Sequence, residues 1–135
     1  MKSFKIMFAC TLAAIIGFGF ISVDKGLQKK PWNVPANYKN MKNPKKTDAN
    51  NINAGKTEWN KSCKSCHGVK GLGDGPKAKT LKSSAGDFSR DLKGQTDVDL
   101  FYKTKFGRGD MPKYDGKVED GDIWNLVNFM RTLQK

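Results

Sequence analysis

The stretch Cys63-Lys64-Ser65-Cys66-His67 constrains this chain more than any other. Two thiols three positions apart on a helical turn share one face, and the histidine that follows leaves from the same turn. C-x-x-C-H is the signature of covalent haem attachment. The thiols add to two vinyl groups of a porphyrin, and the imidazole reaches the iron. Other uses of paired cysteines fit worse. A structural zinc site needs four ligands, yet the sequence offers three cysteines, one of them Cys10 in the N-terminal apolar run, and a single histidine. A thioredoxin-like redox pair needs a βαβ surrounding, and no alternating strand pattern is present. A disulfide across two intervening residues closes too short a loop to staple much of a fold. One haem c is therefore expected on Cys63 and Cys66, with His67 as the proximal iron ligand.

The iron then needs a sixth ligand or an open position. Met111 is the candidate, within Gly107-Arg108-Gly109-Asp110-Met111-Pro112. The glycines permit a close approach of the loop, and Pro112 holds the preceding residue extended. A thioether is a weak, soft ligand that raises the potential of a His/Met iron. Among its rivals, Met130 falls on the apolar stripe of the last helix, where methionine usually fills core. Met41 falls in a polar segment, and Met1 and Met7 belong to the N-terminus.

The 135 residues divide into three parts. In residues 1–24, Lys2 and Lys5 precede an apolar run from Ile6 to Val23, the pattern of an export signal. The run is long for a cleaved signal and near the lower limit for a spanning helix. It lacks a clean small-x-small cleavage site, so both a signal peptide and a membrane anchor stay open. Residues 25–50 hold seven lysines against Asp48 alone, with Pro31, Pro35 and Pro44 among them. They read as an extended Lys/Asn/Pro-rich tether, although Trp32, Val34, Tyr38 and Met41 are too apolar for a pure spacer and leave open that part of it lies against the domain or a partner. The net charge of +12 is thus concentrated outside the folded part. A basic chain raises a nucleic-acid reading, but the lysines are scattered and the leading segment points out of the cytoplasm. Neither a nucleic acid nor a small-molecule substrate is expected.

Residues 51–135 read as the folded domain. A short helix from Ile52 to Lys61 runs into the cysteines, and Gly68 to Pro76 must be loop. Thr96 with Asp99 resembles a capping box, and Gly107 stands where a helix C-cap glycine belongs. A last helix from about Glu119 to Leu133 repeats Ile123, Leu126, Val127, Met130 and Leu133 at helical spacing. Acidic residues at its start and Arg131 near its end complement its dipole. The expectation is an all-α domain of about four short helices wrapped around the haem. So small a domain buries a meagre core, so without haem it is expected to be largely unfolded.

Taken in order, Gly55 to Trp59, the C-x-x-C-H motif with Gly68, Gly71 to Pro76, Gly107 to Pro112 and Ile123 to Met130 resemble the class I monohaem cytochromes c over nearly the whole domain. The resemblance implies a cytochrome c fold and several roles. Gly55 would lie near Phe129 where the first and last helices cross. The backbone carbonyl of Pro76 would accept a hydrogen bond from His67, orienting it. Phe88 and Trp124 would pack on the haem. Attachment outside the cytoplasm would put the domain in the periplasm, soluble or anchored to the outer face of the cytoplasmic membrane. The residues around Pro31 to Pro35 and Asn43-Pro44 are similar to leaders of subunits that dock on respiratory complexes.

With His67 and Met111 both on the iron, no position remains for a substrate. The expected function is that of a single-electron carrier in a respiratory chain, not an enzyme. Lys64, Lys70, Lys77 and Lys113 would rim the docking face for redox proteins or a respiratory membrane complex. If Met111 were absent from the iron or labile, a gas sensor or peroxidase would be the alternative.

Overall fold

The structure, a computed structural model, describes residues 32–135. The expected signal or anchor over residues 1–24, and the start of the segment after it, lie outside the described residues. Among the described residues there are six α-helices and no strand, and no helix is long and apolar enough to cross a membrane.

Helix α1 (Ala36–Lys39) is a single turn. Helix α2 (Ala49–Glu58) starts where the Asp48 side chain accepts from the Asn51 amide at 2.9 Å, satisfying a free N–H and opposing the positive end of the helix dipole. It then widens into one π-helical turn, Trp59–Cys63, and re-forms as α3 (Lys64–His67). The helix expected over 52–61 is therefore longer at both ends and carries an extra residue in its middle turn. A 3-10 turn at Ala78–Thr80 and the single turn α4 (Phe88–Asp91) follow.

Helix α5 (Asp97–Phe106) carries the expected capping box. Thr96 Oγ1 accepts from the Asp99 amide at 3.1 Å, and the Asp99 carboxylate accepts from the Thr96 amide at 2.7 Å. Gly107, at φ +57°, ends the helix. Helix α6 (Asp120–Thr132) lies where expected, but it is buried all round from Ile123 to Met130. Its two asparagines explain why the burial exceeds an apolar stripe, since each meets a different partner.

The first partner is α2. A Cβ on Gly55 would lie 2.0 Å from the Asn125 carbonyl oxygen and 3.0 Å from the Leu126 amide nitrogen. Only glycine lets these two backbones touch. Gly55 thus meets the α6 backbone at Asn125 and Leu126, one turn before Phe129. Phe129 faces Trp59, ring centroids 5.7 Å apart. The wider core adds Leu92, Val98, Leu100 and Phe101, with Phe101 stacked on Trp124 at 4.1 Å.

The second partner is the segment before α2. Residues 34–47 are not an extended spacer. Val34 is buried in the core, and Tyr38 meets Tyr102 and Phe106 edge-on at 5.0 and 5.6 Å. Asn43 Nδ2 donates to Asn128 Oδ1 at 2.9 Å, while Asn128 Nδ2 donates to the Lys46 carbonyl at 3.0 Å. A buried amide needs hydrogen-bond partners, and the apolar core around α6 has none to give. The N-terminal arm supplies them, so the compact unit includes every described residue and is not confined to 51–135.

Two substitutions test these contacts. Gly55→Ala should lower the stability of the haem-loaded chain by about 1–3 kcal/mol through overpacking, read as a lower urea midpoint. Asn128→Ala should cost about 1–3 kcal/mol by leaving arm groups unpaired. It should also make residues 39–47 the first site of limited proteolysis.

Candidate functional site

The cysteine motif spans the π turn and α3. In that turn the Lys64 amide donates to the Trp59 carbonyl, five residues back. Such single π turns often mark functional sites because the extra residue re-aims the side chains that follow. Here Cys63 closes the π turn, and Cys66 and His67 lie on α3. Trp59, buried at the junction, donates through Nε1 to the Gly68 carbonyl at 3.1 Å, tying the start of the turn to the end of the motif.

Helix α3 is one turn long, so its carbonyls lack intrahelical partners. The glycine loop supplies them. The amides of Gly73, Gly75 and Lys77 donate to the carbonyls of His67, Cys66 and Ser65 at 2.9, 3.2 and 2.8 Å. Gly75 has no alternative, since a Cβ there would lie 2.5 Å from the Ser65 oxygen. The loop expected from Gly68 to Pro76 is thus the wall that fixes the motif.

Both thiols are free and half-buried. Burial first, then the nearby Glu58 carboxylate and Cys66, push the Cys63 thiol up to about 12. It is a neutral thiol at physiological pH, the species that adds across a vinyl group. Burial lowers the pKa of His67, against a smaller opposing effect of the Ala85 backbone, so the ring is neutral and able to ligate a metal. Its Nδ1 is buried with no hydrogen-bond partner. The bond implied between His67 and the Pro76 carbonyl is not formed. Pro76 is exposed, and the amides of its neighbours Gly75 and Lys77 cap α3. Phe88 packs on the His67 ring at 4.9 Å and on Trp59 at 5.4 Å. Trp124 stacks on Phe101.

Met111 sits in a tight turn. The Arg108 amide donates to the Met111 carbonyl at 2.9 Å, and the Met111 amide donates back at 3.1 Å. Gly109 takes φ +60° between them, a value that favours glycine. The neighbours of Met111 are fastened as well. Asp110 accepts from the Ser83 amide at 3.0 Å and the Ser83 hydroxyl at 3.3 Å. The Tyr114 hydroxyl donates to the Ser62 carbonyl at 2.8 Å, inside the π turn. Burial, and then the nearby Cys63 and Cys66, push the Tyr114 phenol up to about 12. Tyr114 therefore brings the Met111 loop to the cysteine motif. Sequence reasoning missed this residue, because an aromatic three positions after methionine looks like any other core side chain.

Two free thiols followed by an imidazole with an orphaned buried nitrogen fit a covalently attached haem. Among the described residues no cluster of three or more His, Cys, Asp and Glu side chains could hold a bare metal ion. A family model described as Cytochrome C oxidase, cbb3-type, subunit III matches residues 50–130. The chain belongs to that family. As a c-type cytochrome it carries covalent haem and transfers electrons with it. No curated protein matches the chain.

Among solved structures, the cytochrome is similar to a chain of the Kuenenia stuttgartiensis reducing HAO-like protein complex Kustc0457/Kustc0458. Identity is 26% and the TM-score 0.63, over 68% of this chain and 47% of that one. It thus spans about half the length of that neighbour. The KustC0563 c-type cytochrome matches in fold, with 23% identity and a TM-score of 0.53, over 60% of this chain and 98% of that one.

The Lys64, Lys70, Lys77 and Lys113 side chains are exposed. Val69 and Leu72, two of the exposed large apolar residues, lie in the same glycine loop. With Lys61, Lys64, Lys70 and Pro76 they line a shallow groove of about 620 Å³. None of Cys63, Cys66, His67 and Met111 lines it.

The attachment chemistry has a direct test. The double variant Cys63→Ser with Cys66→Ser should carry no haem through a denaturing gel, as seen by haem stain. Each single variant should keep haem through one thioether, with a shifted pyridine haemochrome band.

Proposed function

We propose that this cytochrome is a single-electron carrier whose iron is held by His67 and Met111, and that it works in a respiratory chain. When bound, the haem supplies a one-electron change between ferric and ferrous iron, with a potential raised by a thioether ligand. The chain's own residues set the conditions for that change. Burial keeps His67 neutral and ready to ligate. Phe88 and Trp59 pack around its ring and keep water from that side.

The fastening of the Met111 loop is the observation that carries this reading. A thioether is a weak ligand, so it stays on iron only where its loop is immobilised. Arg108 closes the turn on Met111 itself, while Asp110 and Tyr114 tie the loop to Ser83 and to Ser62 in the π turn. With His67 and Met111 both holding the iron, no place would be left for a substrate, so we read a carrier and not an enzyme.

Lys64, Lys70, Lys77 and Lys113 give a positive surface that steers encounter with acidic redox proteins or a respiratory membrane complex. The family's description as an oxidase subunit favours electron delivery into such a complex. The basic flank and apolar run of residues 1–24 support export, with the domain in the periplasm or held on the outer face of the cytoplasmic membrane.

Ferric and ferrous visible spectra of the purified haem-loaded chain, followed by carbon monoxide, test the ligation. The expected outcome is a low-spin spectrum with a sulfur-to-iron charge-transfer band, unchanged by carbon monoxide, and a Met111→Ala variant that is high-spin and binds the gas. A wild-type chain that binds carbon monoxide rapidly would overturn the carrier reading in favour of a sensor or peroxidase.

A further inference from the structure

Trp32 of the N-terminal arm reaches the Met111 loop. The Arg108 guanidinium lies over the Trp32 ring, 4.3 Å from its centroid, and the Lys103 ammonium lies 5.8 Å from the same ring. Arg108 is the residue whose backbone exchanges two hydrogen bonds with Met111. A cation on an indole face is held by the ring quadrupole, most strongly for tryptophan. Arg108 and Lys103 repel one another, and Arg108 indeed contributes to lowering the Lys103 pKa, although burial is the larger cause. The indole ring gives both cations a shared attractive partner, so they stay close where they would otherwise separate.

Trp32 is itself held in place. Two residues on, Val34 is buried in the core, and Tyr38 packs on Tyr102 and Phe106 at the end of α5. That end of α5 leads through Gly107 into Arg108. Further along, Asn43 and the Lys46 carbonyl are fastened to Asn128 on α6. The arm is therefore anchored on the core at one end and presses on the Met111 turn at the other.

We propose that Trp32 is a positioning residue for the sixth iron ligand: through Arg108 it holds the Met111 turn closed, so the arm outside the C-x-x-C-H to Met111 segment controls how often the thioether leaves the iron. This rests on the His67/Met111 ligation proposed above. Removing the ring takes the cation–π contact from Arg108, and the pair of backbone bonds between Arg108 and Met111 opens more often. Exogenous ligands then gain access to the iron in proportion to that opening.

The test uses the full haem-loaded chain with Trp32→Ala and Trp32→Phe. Two quantities are read: the rate at which added imidazole binds the ferric iron, and amide hydrogen exchange at Met111 compared with Val127 in buried α6. Trp32→Ala should speed imidazole binding about three- to tenfold, the loss expected for one cation–π contact. It should raise exchange at Met111 and leave Val127 unchanged, and Trp32→Phe should recover most of both effects. A Trp32→Ala chain with wild-type imidazole kinetics overturns the proposal, as does one in which exchange rises equally at Met111 and Val127, since Trp32 would then serve general stability alone. If the wild-type chain itself lacks the sulfur-to-iron charge-transfer band, the ligation reading has failed first. If the band is present and Trp32→Ala changes nothing, only the role of Trp32 has failed.

Discussion

Everything in this cytochrome depends on the contact of α2 with α6 at Gly55. Two helix backbones meet there with no side chain between them, 2.0 Å from where a Cβ would stand to the Asn125 oxygen. That approach fixes the direction in which α2 runs on into the π turn and α3. It also sets Trp59 against Phe129, from where its indole reaches the Gly68 carbonyl and packs beside His67. Misplace the crossing by one residue and the haem-binding motif points elsewhere.

The motif is held chiefly by backbone groups. Helix α3 is too short to stabilise itself, and the glycine loop caps its carbonyls one after another. Glycine is required at Gly75 because the loop must lie on the motif's own backbone. Side chains supply the environment, with Phe88 and Trp59 packed on the imidazole ring. A small domain with few buried apolar residues gains its rigidity from these closures, and a covalent haem adds the large apolar surface that the chain lacks.

The Met111 loop shows a different strategy. It has no helix of its own, so it is tied outward: Asp110 to Ser83, Tyr114 to Ser62, Arg108 to Trp32. Each tie is modest, and several in different directions hold the turn better than one strong bond. Lys105 strengthens the same region. Its ammonium pairs with Asp120 at 2.6 Å and Asp115 at 3.6 Å, while its carbonyl accepts from the Tyr114 and Asp115 amides. The end of α5, the Met111 loop and the start of α6 thus move as one body.

What the sequence alone determined is what local chemistry determines. The C-x-x-C-H spacing acts within one turn of helix, so the covalent haem and its histidine were legible without a fold. The capping box at Thr96 and Asp99, the glycine at 107 and the periodic stripe of α6 are equally local, and all three stand where they were read. The arm was legible only in its apolar residues, Trp32, Val34 and Tyr38, which were too apolar for a spacer. Its lysines, asparagines and prolines show no period, and the reason it folds back is Asn128, 85 residues from Asn43. The π turn was hidden because it depends on how Trp59 is gripped by α6 and Gly68, not on the preferences of its own residues. The bond from His67 to Pro76 came by likeness, and the fold leaves the His67 Nδ1 without a partner. Tertiary structure decided these because each joins groups far apart in the chain, and only the packed fold sets the distance between them.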